Sequence, residues 1–173
     1  MRGKLWAYAA MTWCLIFAIR GAYWALGGMA GIDTVAAGVR DYPGMRTILW
    51  VTVVLELVGA ALALALTRPR QLPAWLLLLP AWGAGALLAG HGLEFLSFGA
   101  LTVAGVFPRS AQTLWYALLW GPWFLLGGVL FMAAGWAYLR ADPARRTSAV
   151  LASGLGALGG AAVAAAPLVF GIG

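Results

Sequence analysis

Apolar residues run along this chain in long stretches, broken by short clusters that hold most of its Arg, Lys and Asp residues. A helix needs ~20 consecutive apolar residues to cross a bilayer. The pattern predicts five such helices, at about 5-29, 46-66, 72-98, 113-139 and 148-170. In the first, Trp13, Phe17, Arg20, Trp24 and Gly27 recur at spacings of four and three, so they share one face. Gly27, Gly28, Gly31 and Asp33 end that helix, and the connection to Pro43 is the longest aqueous one, placed to cap a cavity. The apolar run after Leu72 continues to Phe107, too long for one crossing. A helix to about Phe98 is expected there, followed by a re-entrant or interfacial piece up to Pro108 and Arg109. In the fourth helix Pro122 predicts a kink. The fifth repeats small residues at a spacing of four, as at Gly156 and Gly160, a pattern for close packing on another helix, on a second copy of the chain in a homo-oligomer, or on a partner membrane protein.

The expected fold is therefore all-α, a polytopic five-transmembrane-helix bundle. Connections this short leave no room for a soluble unit, so 1-173 reads as a single transmembrane domain. Composition agrees: 64% of residues are hydrophobic and 9% charged, more apolar surface than one soluble core of this size can hide. The formal charge of +6 comes mainly from basic clusters beside the apolar runs, where it orients helices and does not indicate a nucleic-acid partner. With the N-terminus inside, Arg2, Lys4, Arg68, Arg70, Arg140, Arg145 and Arg146 are cytoplasmic, and only Arg40, Arg46 and Arg109 are outside. This bias predicts N-in, C-out. The basic start followed by apolar residues imitates a signal peptide, but the run is too long and is interrupted by Arg20, so it reads as an uncleaved helix. A single cysteine, Cys14, provides neither a disulfide nor a CxxC redox pair.

Candidate chemistry lies in the ionisable residues inside these helices, which are costly in lipid. From the rise per residue, Arg20 lies about 22 Å above the inner boundary, Glu56 about 15 Å, His91 about 28 Å and Glu94 about 33 Å. With Asp33 and Asp41 beyond them, polar groups concentrate in the outer half and imply an outward-facing polar cavity ringed by aromatics. Two readings fit. In one, Arg20 and Glu56 form a structural ion pair, His91 bonds a backbone carbonyl and Glu94 is solvated at the interface. In the other, Glu56, Glu94 and His91 act as acid and base with Arg20 as charge partner. Tyr23, Trp24, Trp13, Trp82, Trp120 and Trp123 then hold a lipophilic ligand and stabilise positive charge through their π faces. Such a site suits isomerisation or cyclisation of an isoprenoid- or sterol-like molecule; a non-catalytic receptor or an accessory subunit would use the same residues without chemistry. One histidine completes no transition-metal set, so neither metal nor cofactor is expected.

The runs Tyr23-Trp24-Ala25-Leu26-Gly27-Gly28, His91-Gly92, and Trp120-x-Pro122-Trp123 followed by Gly127-Gly128 carry a family likeness. Together they resemble small integral membrane proteins of unknown function, of an actinobacterial type. That resemblance implies a multi-pass protein of a bacterial inner (cytoplasmic) membrane, surrounded by membrane lipids, and assigns no activity. Family members often carry an acidic residue before the fourth-helix proline, where this chain has Gly121. In kind, the His91, Glu94 and Glu56 set among tryptophans is similar to the sterol-isomerase and sigma-two-receptor group. Five Trp-rich helices also resemble the tryptophan-rich sensory proteins, although their Trp-x-Pro-Pro loop is missing.

Overall fold

The computed structural model of the chain describes residues 2–35, 38–68, 72–141 and 146–170. Among them are five helices long and apolar enough to cross a membrane and no strand: α1 (Arg2–Ala25), α2 (Met45–Leu66), α3 (Ala74–Val103), α4 (Ala111–Ala141) and α5 (Arg146–Phe170). These apolar helices indicate a multi-pass membrane protein. Large side chains such as Val54, Leu55, Leu93 and Leu118 are exposed, as a lipid-facing surface requires. Arg70 and Arg145, used above to orient the chain, lie outside the described residues, as do 171–173.

Two helix ends follow one design. At the end of α1, Gly27 takes a φ of 103°, Gly27 N–H donates to Trp24 C=O, and Gly28 N–H reaches back to Tyr23 C=O at 2.9 Å. The end of α3 repeats it at Gly105, with φ of 79° and Val106 N–H on Leu101 C=O at 2.9 Å. Both are Schellman caps, which satisfy carbonyls that a helix end would orphan. This corrects the expected limits. The first helix stops at Ala25, before Met29, because Gly27 turns the chain. The third continues past Phe98 to Val103, and turns and irregular chain lead from it to Ser110. Gly99 lies within α3, where it is buried against Ala117 of α4.

Pro122 is accommodated by a wide turn. Residues Tyr116–Trp120 form a π-helical segment in α4, and Gly121 N–H donates to Tyr116 C=O, five residues back. Proline lacks an N–H and crowds the carbonyl four residues before it, and widening the preceding turn relieves both problems.

Glycines set how closely the helices approach. A Cβ on Gly160 would run into the Gly83 carbonyl, and one on Gly156 into that of Leu79, so α5 meets α3 backbone to backbone. Across α3 and α4, a Cβ on Gly92 would lie 2.6 Å from Leu125 N and one on Gly128 2.7 Å from Gly85 O. Gly127 leaves room for the Trp13 ring of α1. Helix α4 thus joins the α1–α2 pair to the α3–α5 pair. The Gly156 and Gly160 pair serves contact inside the chain, whereas Gly154 and Gly159 border open space.

Candidate functional site

At the end of the bundle where α1 leads to α2, a cavity of about 380 Å³ opens between α1, α2, α3 and α4. Its walls follow from helical spacing. Phe17, Arg20 and Trp24 come from one face of α1, His91 and Phe95 from α3, and Tyr116, Trp120 and Phe124 from α4. Leu49, Thr52 and Glu56 close it from α2.

Its roof is the α1–α2 connection. Ile32 and Val39 are buried there, each within a short 3₁₀ turn, Ile32–Thr34 and Val39–Asp41. Gly31 and Gly38 start those turns with φ of 74° and 72°, a conformation that favours glycine. Across the turns, the Arg40 guanidinium pairs with Asp33, with Nε donating to Oδ1 at 2.7 Å. That hydrogen bond, opposed by burial and aided by the Arg40 charge, holds the exposed Asp33 carboxyl below the ordinary carboxylate range. The same partner raises the already high Arg40 value.

Helix α4 clamps the roof. Trp120 Nε1 and Gln112 Nε2 both donate to Thr34 C=O, at 2.7 and 2.9 Å, and Tyr116 Oη donates to Val35 C=O at 2.9 Å. Trp24 Nε1 adds a bond to Ala30 C=O at 2.8 Å. Four side chains thereby satisfy three carbonyls of the connection, those of Ala30, Thr34 and Val35.

Arg20 occupies the centre. Its guanidinium carbon lies 4.1 Å from the Phe17 ring centroid, 4.2 Å from that of Trp120 and 4.3 Å from that of Trp24. Three aromatic faces around one desolvated cation supply attraction that lipid cannot. Glu56 comes close because residue 21 is glycine: a Cβ there would lie 2.9 Å from Val53 and 3.4 Å from Glu56 Oε2. Yet no ion pair or hydrogen bond joins Arg20 to Glu56 among the described residues, and Arg20 Nε and Glu56 Oε2 are buried without a partner. The expected structural ion pair is therefore not formed; the rings hold Arg20 in place of the carboxylate.

The structure brings together Arg20, Trp24, Glu56, His91 and Trp120 on one cavity. It leaves the other expected residues elsewhere. Glu94 lies 3.6 Å from His91 Nδ1, beyond hydrogen-bonding distance, and lines a separate open groove with Ser97, Met132 and Ala164. The reason is angular: a four-residue step from His91 to Phe95 stays near the cavity face, whereas a three-residue step turns about 60° the other way, toward α5. Trp13 stacks on Trp123 at 5.4 Å and donates from Nε1 to its carbonyl at 3.1 Å, packing beside the cavity-lining Phe17. Trp82 packs against Gly135. Tyr23 is about half exposed; its ring covers Gly28 and its hydroxyl accepts from Ala30 N–H at 3.4 Å.

Thr52, Phe95, Tyr116 and Phe124 are cavity residues that the sequence argument did not place there, and Gln112 is an unforeseen clamp. Tyr116, Trp120 and Phe124 follow one another at steps of four, the spacing that puts them on one side of a helix. Among the described residues no group of three or more His, Cys, Asp or Glu side chains comes together to hold a metal.

The family model named Protein of unknown function (DUF3995) matches residues 4–131, which contain all but the first two residues of α1, the whole of α2 and α3, most of α4 and the whole cavity. No curated protein and no solved structure matches the chain.

Proposed function

The chain belongs to the DUF3995 family of proteins of unknown function, and from that premise we propose that it binds a small lipophilic molecule in the α1–α4 cavity. The observation that carries this reading is the union of an aromatic lining with unsatisfied polar groups: Arg20 and Glu56 both border the cavity, and neither makes a hydrogen bond among the described residues. Buried polar groups are nearly always paired, and unpaired ones clustered on a cavity mark a place for a ligand. About 380 Å³ falls at the small end of the ~300–1,000 Å³ of sites for drug-sized ligands. A compact isoprenoid- or sterol-like molecule suits it better than a two-chain lipid.

The basic residues near the helix ends support an N-in orientation, which turns the cavity outward, in the cytoplasmic membrane of a bacterium. The 1-173 chain then acts as one transmembrane unit whose α1–α2 connection closes the site.

Acid-base isomerisation or cyclisation is the second reading, favoured by one observation: Glu56 and His91, two groups able to carry protons, line the same cavity. Glu94 has no part in it.

The test is lipid analysis of purified protein beside a Leu49→Trp variant, whose larger side chain fills the cavity from α2. A lipophilic compound retained by the wild type and absent from the variant supports binding. Identical extracts from both would contradict it.

A further inference from the structure

We propose that the ligand's polar group is a neutral hydroxyl, so that the cavity takes a lipophilic alcohol; this rests on the binding reading above. Arg20 offers donors only and Glu56, as a carboxylate, acceptors only. Arg20 Nε and Glu56 Oε2 lie fully buried without partners, and both residues line the cavity. No direct bond joins the two, so a group placed between them has to accept from one and donate to the other. A hydroxyl does both with a single oxygen. A ligand carboxylate would satisfy Arg20 and face the like charge of Glu56; an ammonium would satisfy Glu56 and face the like charge of Arg20. Both mismatches are costly in an apolar site.

The remaining polar groups fit the same ligand. Thr52 already donates its hydroxyl hydrogen to Leu49 C=O at 2.8 Å, and Tyr116 donates its own to Val35 C=O, so neither supplies a free donor for an anion. The guanidinium already occupies the faces that Phe17, Trp24 and Trp120 turn toward it, so those three rings are not free to hold a ligand cation. His91 Nδ1 is likewise buried without a hydrogen-bond partner, and its ring stands edge-on to Phe124 at 6.1 Å.

The experiment is native mass spectrometry of the full chain in lipid nanodiscs, offered an equimolar mixture of farnesol, farnesoic acid, farnesylamine and farnesene. Farnesol is expected to be retained at least about tenfold more than the other three, the scale of leaving one buried polar group unpaired. Glu56→Gln removes the repulsion of anions and should raise farnesoic acid relative to farnesol; Arg20→Gln should raise farnesylamine. Preference of the wild type for the acid or the amine overturns the hydroxyl inference and leaves the binding reading standing. Equal retention of farnesene and farnesol also overturns it, since water would then fill the polar position. Retention of none of the four contradicts the binding reading itself.

Discussion

The guanidinium carbon of Arg20 lies 4.2 Å from the ring centroid of Trp120, and the same indole donates from Nε1 to Thr34 C=O at 2.7 Å. One side chain therefore touches the buried charge with its face and holds the roof with its edge. Order in the α1–α2 connection and placement of the charge are coupled through it.

Trp120→Phe keeps an aromatic face over Arg20 and removes the bond to Thr34. A lost hydrogen bond of about 1 kcal/mol should raise amide exchange in residues 31–35 about fivefold, read by hydrogen–deuterium exchange. Trp120→Leu also removes the π face and should in addition lower bundle stability by about 1–2 kcal/mol in a denaturant titration.

Arg20 and Glu56 should couple weakly. Breaking a buried ion pair by removing one partner costs about 3–5 kcal/mol, whereas rings held around a cation contribute through packing and the π faces. A double-mutant cycle of Arg20→Met and Glu56→Gln, followed by unfolding in detergent, should give a coupling energy of about 1 kcal/mol or less. A value near 4 kcal/mol would mean that the two groups pair directly.

The Asp33 and Arg40 bridge gives the roof a pH dependence of known sign. The carboxyl of Asp33 is held below its ordinary value by Arg40, so the folded loop binds that proton more weakly than the open loop. Its contribution is present above the ordinary carboxylate value of ~4 and is lost as pH falls through the lowered one. Loop proteolysis by an acid-active protease should quicken as pH falls below about 4 in the wild type. In Asp33→Asn this acid-dependent increase should disappear.

Gly160→Leu should disrupt the bundle, because the added side chain meets the fixed carbonyl of Gly83 and not a movable side chain. Overpacking of this kind costs about 1–3 kcal/mol or more. Gly159→Leu, one position away with nothing within 4 Å of its Cβ, should stay within about 0.5 kcal/mol of wild type. Thermal unfolding in detergent separates the two.

The five spans were legible because lipid imposes a length and an apolar composition that the sequence cannot disguise. The face carrying Phe17, Arg20 and Trp24 was legible too, since residues three and four apart share a helix side. The direction of Glu94 was not: three-residue spacing makes it a neighbour of His91, but the position of α5 decides what it faces. The roof clamps were beyond local reading, because Gln112, Tyr116 and Trp120 meet carbonyls 78, 81 and 86 residues away. Gly99 and Gly105 show the same division. Both are glycines in one apolar run, yet one packs against Ala117 inside α3 and the other ends the helix with a positive φ.

Photolabelling gives the most direct test of a ligand site under the roof. A diazirine analogue of farnesol is irradiated with the nanodisc-embedded protein, and the labelled residues are mapped by peptide sequencing. Adducts on Leu49, Phe95 and Trp120 that disappear when excess farnesol is present are the predicted result. Adducts confined to lipid-facing residues such as Val54, Leu55 and Leu93, unchanged by excess farnesol, would contradict it.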